Sequence, residues 1–185
     1  MTSDRETAAT GLLHLYDRAM PQVYGYLVRR CGVTTVAEDL TADVFMAAVA
    51  AIRNEVVTDI TVPWLIGTAR HKLIDHWRRS ERQQRAFRLL GEDEAILDSH
   101  DEPISAVRAH DVLEQLSTDH RAALTLRYID DLPVADVARA LDRSEHATES
   151  LLQRAKAAFR HVAAMHDASQ HDTSQHDTSQ HGEEQ

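Results

Sequence analysis

The stretch Trp64 to Arg88 reads WLIGTARHKLIDHWRRSERQQRAFR, and it decides the fold class and points toward the function. Leu65, Ala69, Leu73 and Trp77 recur every fourth residue, the spacing of one helix face. The opposite face carries Arg70, Lys72, Arg78, Arg79, Arg82, Arg85 and Arg88 against only Asp75 and Glu81. Trp64 follows Pro63 at the expected helix start, and Trp77 stands among the arginines. Basic side chains neutralise phosphates and aromatic faces stack on unpaired bases, so this helix points to nucleic acid and to an opened strand. The plainer alternative is an amphipathic helix with a solvated charged face, in which Trp77, on the apolar stripe, is a core residue.

Leu132 to His161, LPVADVARALDRSEHATESLLQRAKAAFRH, argues against that alternative. Pro133 suits a first helical turn, and Val134, Val137, Ala138 and Leu141 form an apolar stripe. Asp142-Arg143-Ser144 interrupts the stripe, and Ser144 is suited to cap the next helix. There Thr148, Leu151, Leu152, Ala155, Phe159 and Val162 are expected to face inward. His146, Glu149, Ser150, Gln153, Lys156 and Arg160 are expected to face out. A short helix, a tight turn and a longer helix make a helix-turn-helix pattern.

The remaining periodicity is also helical, and no strand pattern occurs. Residues 1–10 are polar and expected to fray. Leu12 to Arg30 reads as a helix that Pro21 bends or divides. Gly32 to Thr35 is a turn, and Ala37 to Ile52 is an amphipathic helix with an acidic edge at Glu38, Asp39 and Asp43. Early acids also suit the helix dipole. Arg53 to Pro63 is a polar, β-branched loop. Ile104 to Leu116 and a helix opening at Ser117-Thr118-Asp119, with Ala122, Ala123, Leu126 and Ile129 as its apolar positions, precede the hairpin.

The expected architecture is therefore all-α, with two small helical domains. Residues 10–90 form the first, 91–103 a flexible acidic linker, and 104–163 the second, a helix-turn-helix domain. Residues 164–185 form a His/Asp-rich tail, expected to be disordered because its five-residue HDTSQ repeat matches neither a helix face nor a strand face. Four evenly spaced histidines can chelate nickel or zinc, but flexible His-Asp repeats bind such ions weakly without a dedicated site, so no metal and no cofactor is assigned.

The 185-residue chain has a net charge of −10, which looks wrong for a nucleic-acid binder until its distribution is read. Residues 1–90 carry a net of +2 and residues 120–165 a net of +1, whereas residues 91–119 carry −8 and residues 166–185 carry −5. The acid is concentrated in the linker and tail, and the local field near the phosphates matters more than the total. No apolar run is long enough to span a bilayer and no secretory pattern opens the chain. Cys31, the single cysteine, excludes an internal disulfide and a multi-cysteine zinc site, and it suits a reducing, cytoplasmic compartment.

Three segments in order resemble bacterial RNA polymerase sigma factors of the extracytoplasmic-function group. Ala37-Glu-Asp-Leu-Thr-Ala-Asp-Val-Phe45 is similar to that family's acidic helix, which docks on the polymerase clamp. Pro63 to Arg79 is similar to its −10 recognition and melting helix. Leu116 to Tyr128, with the hairpin to Lys156, is similar to its −35-reading domain. The resemblance covers about residues 10–162. It implies an alternative sigma factor, with no catalytic residue, that binds the polymerase core through the β and β′ subunits and directs promoter recognition and transcription initiation. Glu38, Asp39, Asp43 and Phe45 would then bind polymerase. Trp64, Arg70, Lys72, Trp77, Arg78, Arg79 and Arg82 would bind the −10 strand, with the Arg53–Pro63 loop as a pocket wall. Arg143, Ser144, His146, Glu149, Ser150, Gln153, Arg154 and Lys156 would bind the −35 duplex. Family members often have an anti-sigma partner.

The chain departs from the family pattern at Ala42, where glutamine is common, and at His146, where glycine is common. It departs again at Glu149 and Leu151, where basic residues are common in the recognition helix. A carboxylate accepts from cytosine N4 but repels phosphate, so Glu149 bears on the −35 preference. Two rival functions follow from the residues. A stand-alone helix-turn-helix regulator shares the hairpin but leaves the basic-aromatic helix unused. A small metal-dependent enzyme would use His71, Asp75 and His76, but His76 is rotated away from the other two, and ligands must converge.

Overall fold

The structure is a computed structural model; it describes the backbone of residues 2–57, 59–90 and 104–177, and the side chains within 10–57, 59–87 and 109–166. Seven helices follow one another in the described residues, and no strand occurs there. They are α1 (Thr2–Cys31), α2 (Thr34–Arg53), α3 (Val62–Leu90), α4 (Ile104–Glu114), α5 (Thr118–Leu124), α6 (Val134–Leu141) and α7 (Glu145–Asp177). The chain divides into two compact units, residues 1–100 and residues 101–185. The segment expected to be a linker, 91–103, lies outside the described residues.

In the first unit α1, α2 and α3 each pack against the other two. Leu15, Ala19, Val23 and Leu27 of α1, Leu40, Val44 and Ala48 of α2, and Leu65, Ala69, Leu73 and Trp77 of α3 are buried. Spacings of three and four on all three helices put these residues on inward faces, and burying them is the main stabilising term. The starts of the first two helices differ from the sequence reading. α1 starts at Thr2, where fraying was expected, and runs through Pro21 without dividing. α2 begins at Thr34, inside the expected turn, with Ala37 N donating to Val33 O at 3.1 Å. The turn itself is Gly32, whose φ of 70° is a left-handed conformation that glycine adopts without a Cβ penalty.

In the second unit α5 and α6 pack on α7, with α4 beside it. Leu126, Val137, Ala138, Leu141, Leu151, Leu152 and Ala155 are buried, together with Thr148, whose hydroxyl donates to Ser144 O at 2.9 Å. At the C-terminal end of α4, Glu114 Oε1 lies 3.3 Å from His110 Nε2 and 3.5 Å from Arg121 Nη2 of α5. The His110 imidazole, partly opposed by burial and helped by Arg121, holds the Glu114 carboxyl below its ordinary value.

The apolar period after α5 breaks where the helix widens. Thr125–Ile129 is a π-helical turn, and Asp130 N donates to Thr125 O at 2.9 Å. The extra residue in that turn shifts the following positions by about 100°. Ile129, expected to face inward, is 53% exposed, and so is Tyr128. The tail also departs from the expectation of disorder: α7 continues as far as Asp177. The repeat holds neither glycine nor proline before Gly182, so nothing in it breaks a helix already started. Residues 178–185 lie outside the described residues.

Candidate nucleic-acid interface

The first basic surface is built on α3. Thr61 opens this helix, accepting from Trp64 N on its hydroxyl at 3.4 Å and from Leu65 N on its carbonyl at 3.0 Å. That fixes the phase of everything downstream. Leu65, Ala69, Leu73 and Trp77 go to the core, and Arg79, Arg82 and Arg85 go to solvent. Arg70, Lys72 and Arg78 are half-buried at the border. Trp77 is 6% exposed, which corrects its assignment to the DNA strand. It stands one helical repeat beyond Leu73, and the bundle closes over it. Trp64 is half-buried and keeps a surface edge.

Intramolecular contacts order the cations. Arg79 Nε donates to Asp75 O at 3.3 Å and Arg82 Nε to Arg78 O at 3.0 Å. Arg78 is 4.0 Å from Asp75, and Arg85 pairs with Glu81 at 2.7 Å. A second helix joins the surface, which the sequence reading missed. Arg30 of α1 lies over the Tyr26 ring at 3.8 Å, and Arg70 lies 5.9 Å from the same ring centre. The i, i+4 spacing of Tyr26 and Arg30 was visible in the sequence, but their meeting with Arg70 is a tertiary fact. Between α1 and the loop before α3 lies a cavity of about 530 Å³, with His14, Arg18, Asp59, Ile60 and Thr61 among its walls.

On α2, Glu38, Asp39 and Asp43 are exposed. Asp43 is 3.8 Å from Lys72, so the acidic edge meets the basic helix at one ion pair. Phe45 is half-buried, with its ring centre 4.9 Å from that of Tyr16 on α1. Around this contact Leu13, Tyr16, Met20, Met46 and Val49 are exposed. An apolar patch shared by two helices and edged by carboxylates has the composition of a protein-docking face. The sequence reading found its acids and missed most of its apolar part.

The second surface is the hairpin of α6 and α7. Asp142 takes the left-handed conformation, φ 56°, and Arg143 N donates back to Ala138 O at 2.9 Å, which closes the turn. Ser144 Oγ accepts from Ala147 N at 3.2 Å, capping α7. Arg143 Nη2 donates to Asp119 Oδ2 of α5 at 2.5 Å. Both residues thus serve the turn itself, in addition to lying on its exposed side. His146, Glu149, Ser150, Gln153, Arg154 and Lys156 are all exposed along α7. Leu151 is 3% exposed, so its departure from the family pattern is a core substitution and leaves the outer face of α7 unchanged. Lys156 Nζ lies 5.0 Å from the centre of the Tyr128 ring.

Among the described residues no three His, Cys, Asp or Glu side chains converge as metal ligands, and no helix is long and apolar enough to cross a membrane.

The family model described as Sigma-70 region 2 matches residues 15–83, and that described as Sigma-70, region 4 matches residues 106–159. The chain is similar to the ECF RNA polymerase sigma factor BldN of Streptomyces coelicolor, 30% identical over 76% of this chain and 56% of that protein. It is also similar to the ECF RNA polymerase sigma factor SigM of Bacillus subtilis, 28% identical over 77% of this chain and 88% of that protein. The chain thus spans a little over half of the first relative's length and most of the second's. A crystal structure of the sigma factor RpoE with the anti-sigma factor NepR from Bartonella quintana shares the fold, with a TM-score of 0.54 at 20% identity over 80% of this chain and 94% of that one. With both regions matched in order over more than half of its residues, the chain belongs to the sigma-70 family, in its extracytoplasmic-function group.

Proposed function

We propose that this chain is an alternative sigma factor that joins the RNA polymerase core, selects promoters and starts transcription. The observation that carries the reading is the coexistence, in one chain, of a basic helix α3, a docking face on α1 and α2, and a hairpin whose second helix exposes His146, Glu149, Ser150, Gln153 and Lys156. A stand-alone regulator needs only the last of these.

Each surface then has a task. The acidic and apolar face around Asp39, Asp43, Phe45 and Met46 binds the core. Arg70, Lys72, Arg78, Arg79 and Arg82 hold the backbone of the opened −10 strand, while Trp64 offers its exposed edge for stacking. The cavity beside Asp59–Thr61 suits a base drawn out of the stack. α7 enters the −35 major groove, with Lys156 and Arg154 on phosphates and Glu149 positioned to accept from a cytosine amino group. The chain acts by binding and makes or breaks no bond itself; its place of action is the cytoplasm. Residues 10–90 and 104–163 are the two working domains, and residues 164–185 are an appended tail. An anti-sigma protein is a further candidate partner, since the docking face is the surface whose occlusion would silence the factor.

Reconstitution tests this directly. The full chain, mixed with polymerase core and a pool of promoter duplexes, is expected to yield new initiation sites that core alone does not give. Specific DNA binding by the chain without core, and no initiation with it, would favour the stand-alone regulator.

A further inference from the structure

The contact between Tyr128 and Lys156 lies at the surface of the second unit. Tyr128 belongs to the π-helical turn that carries it out of the core, leaving a large aromatic side chain 53% exposed. Its ring centre is 5.0 Å from Lys156 Nζ of α7 and 5.7 Å from Arg127 Cζ. Single-turn π segments occur often at functional positions, because they re-aim side chains at the expense of helix regularity.

Other cations of this unit are held differently. Arg127 donates to Leu132 O at 3.1 Å and lies 3.6 Å from Asp131. Arg121 has Glu114, Arg139 has Asp136 and Arg143 has Asp119. Among the described residues no carboxylate pairs with Lys156, whose recorded neighbour is the face of a phenol. The distinction is chemical. A carboxylate neutralises a lysine and occupies its donors. A ring face attracts the ammonium through its quadrupole, and leaves both the charge and the N–H donors available. A lysine held in that way has lost part of its rotamer freedom before any ligand arrives, which lowers the cost of binding one.

We propose that Tyr128 is a positioning residue for promoter binding, holding Lys156 in place, still charged, for a backbone phosphate of the −35 duplex. This rests on the assignment of α7 to that duplex. Tyr128 lies outside the hairpin, so neither the helix-turn-helix pattern nor the sequence of α7 reveals its contact with Lys156.

The test uses the full chain assembled with polymerase core, a fluorescent promoter duplex and a series of salt concentrations. Tyr128→Phe keeps the ring face and is expected to bind as the parent does. Tyr128→Leu keeps apolar bulk and loses the quadrupole; affinity is expected to fall about two- to five-fold, the range of an exposed cation–π contact. Lys156→Gln is expected to lower the salt slope by about one unit. The double variant Tyr128→Leu/Lys156→Gln is expected to match Lys156→Gln, since the ring acts through the lysine. A loss with Lys156→Gln but none with Tyr128→Leu overturns the positioning role and leaves the α7 assignment standing. An unchanged salt slope with Lys156→Gln removes the phosphate contact and overturns the proposal along with that part of the assignment. A defect in core assembly with normal DNA binding by the assembled fraction assigns the pair to polymerase, and also overturns it. Thermal unfolding of Tyr128→Leu is expected to match the parent, and a lowered transition would assign the ring to folding instead.

Discussion

Trp64 and Trp77 share α3 and meet different surroundings. Trp77 is 6% exposed within a three-helix core, whereas Trp64 is half-buried at the helix entrance. Truncating a buried tryptophan removes its transfer energy and leaves a cavity, so Trp77→Ala is expected to cost about 3–5 kcal/mol in urea unfolding. Trp64→Ala is expected to lower open-complex formation with a much smaller loss of stability. The acids of α2 give the opposite case. Asp39 is exposed, and Asp43 is 52% exposed in its pair with Lys72. An exposed pair contributes at most about 1 kcal/mol, so Asp39→Ala with Asp43→Ala is expected to leave the melting curve nearly unchanged. If both face polymerase, affinity for the core falls roughly two- to ten-fold, most strongly at low salt. Core affinity measured by fluorescence titration checks this, and an unchanged value would remove the docking role.

At the scale of the element, α3 is one helix with two functions divided by phase. Its inward stripe was legible from a four-residue period, as was the opposite basic face. Arg78→Ala with Arg79→Ala leaves the stripe intact, so the fold is expected to survive while open complexes decrease. Each lost phosphate contact is expected to lower the salt slope by about one unit. Normal open complexes would make this face a solvated surface. The α4–α5 junction is sensitive to acid. The Glu114 carboxyl titrates below its ordinary value of 4.5 in the folded chain, so the unfolded chain binds that proton more readily. The stabilisation is present in full above the ordinary value and is lost as pH falls through the depressed one. Glu114→Gln is therefore expected to be less stable than the parent at neutral pH, with the difference closing below about pH 4.5, as read from urea midpoints along a pH series. Period-counting failed between α5 and α6, because a π turn changes the register and no simple residue pattern announces one.

For the whole molecule, charge is segregated along the chain. Residues 166–185 carry five acids and no Lys or Arg, and as far as Asp177 they continue α7, the helix that bears Lys156 and Arg160. The last described side-chain contact along α7 joins His166 to Gln115 at 2.5 Å. Truncation after His166 keeps that contact and removes the acids. Thermal stability is expected to stay nearly constant, while promoter affinity rises at low salt and converges with the parent's as screening shortens to about 8 Å at physiological ionic strength. A large loss of stability would instead show that the tail docks on the fold.

The sequence alone determined the all-α class, the helix-turn-helix, the order of the acidic and basic helices and the family they resemble. These depend on local periodicity, capping residues and composition, which are written along the chain. Tertiary structure decided which side chains remain available. It buried Trp77, committed Arg143 to Asp119, and gathered Arg30 and Arg70 at Tyr26. It also set Tyr128 under Lys156. The physical reason is that exposure and pairing depend on what stands opposite a residue in space. A helical period gives the face on which a side chain lies, and only the neighbouring helices determine what that face meets.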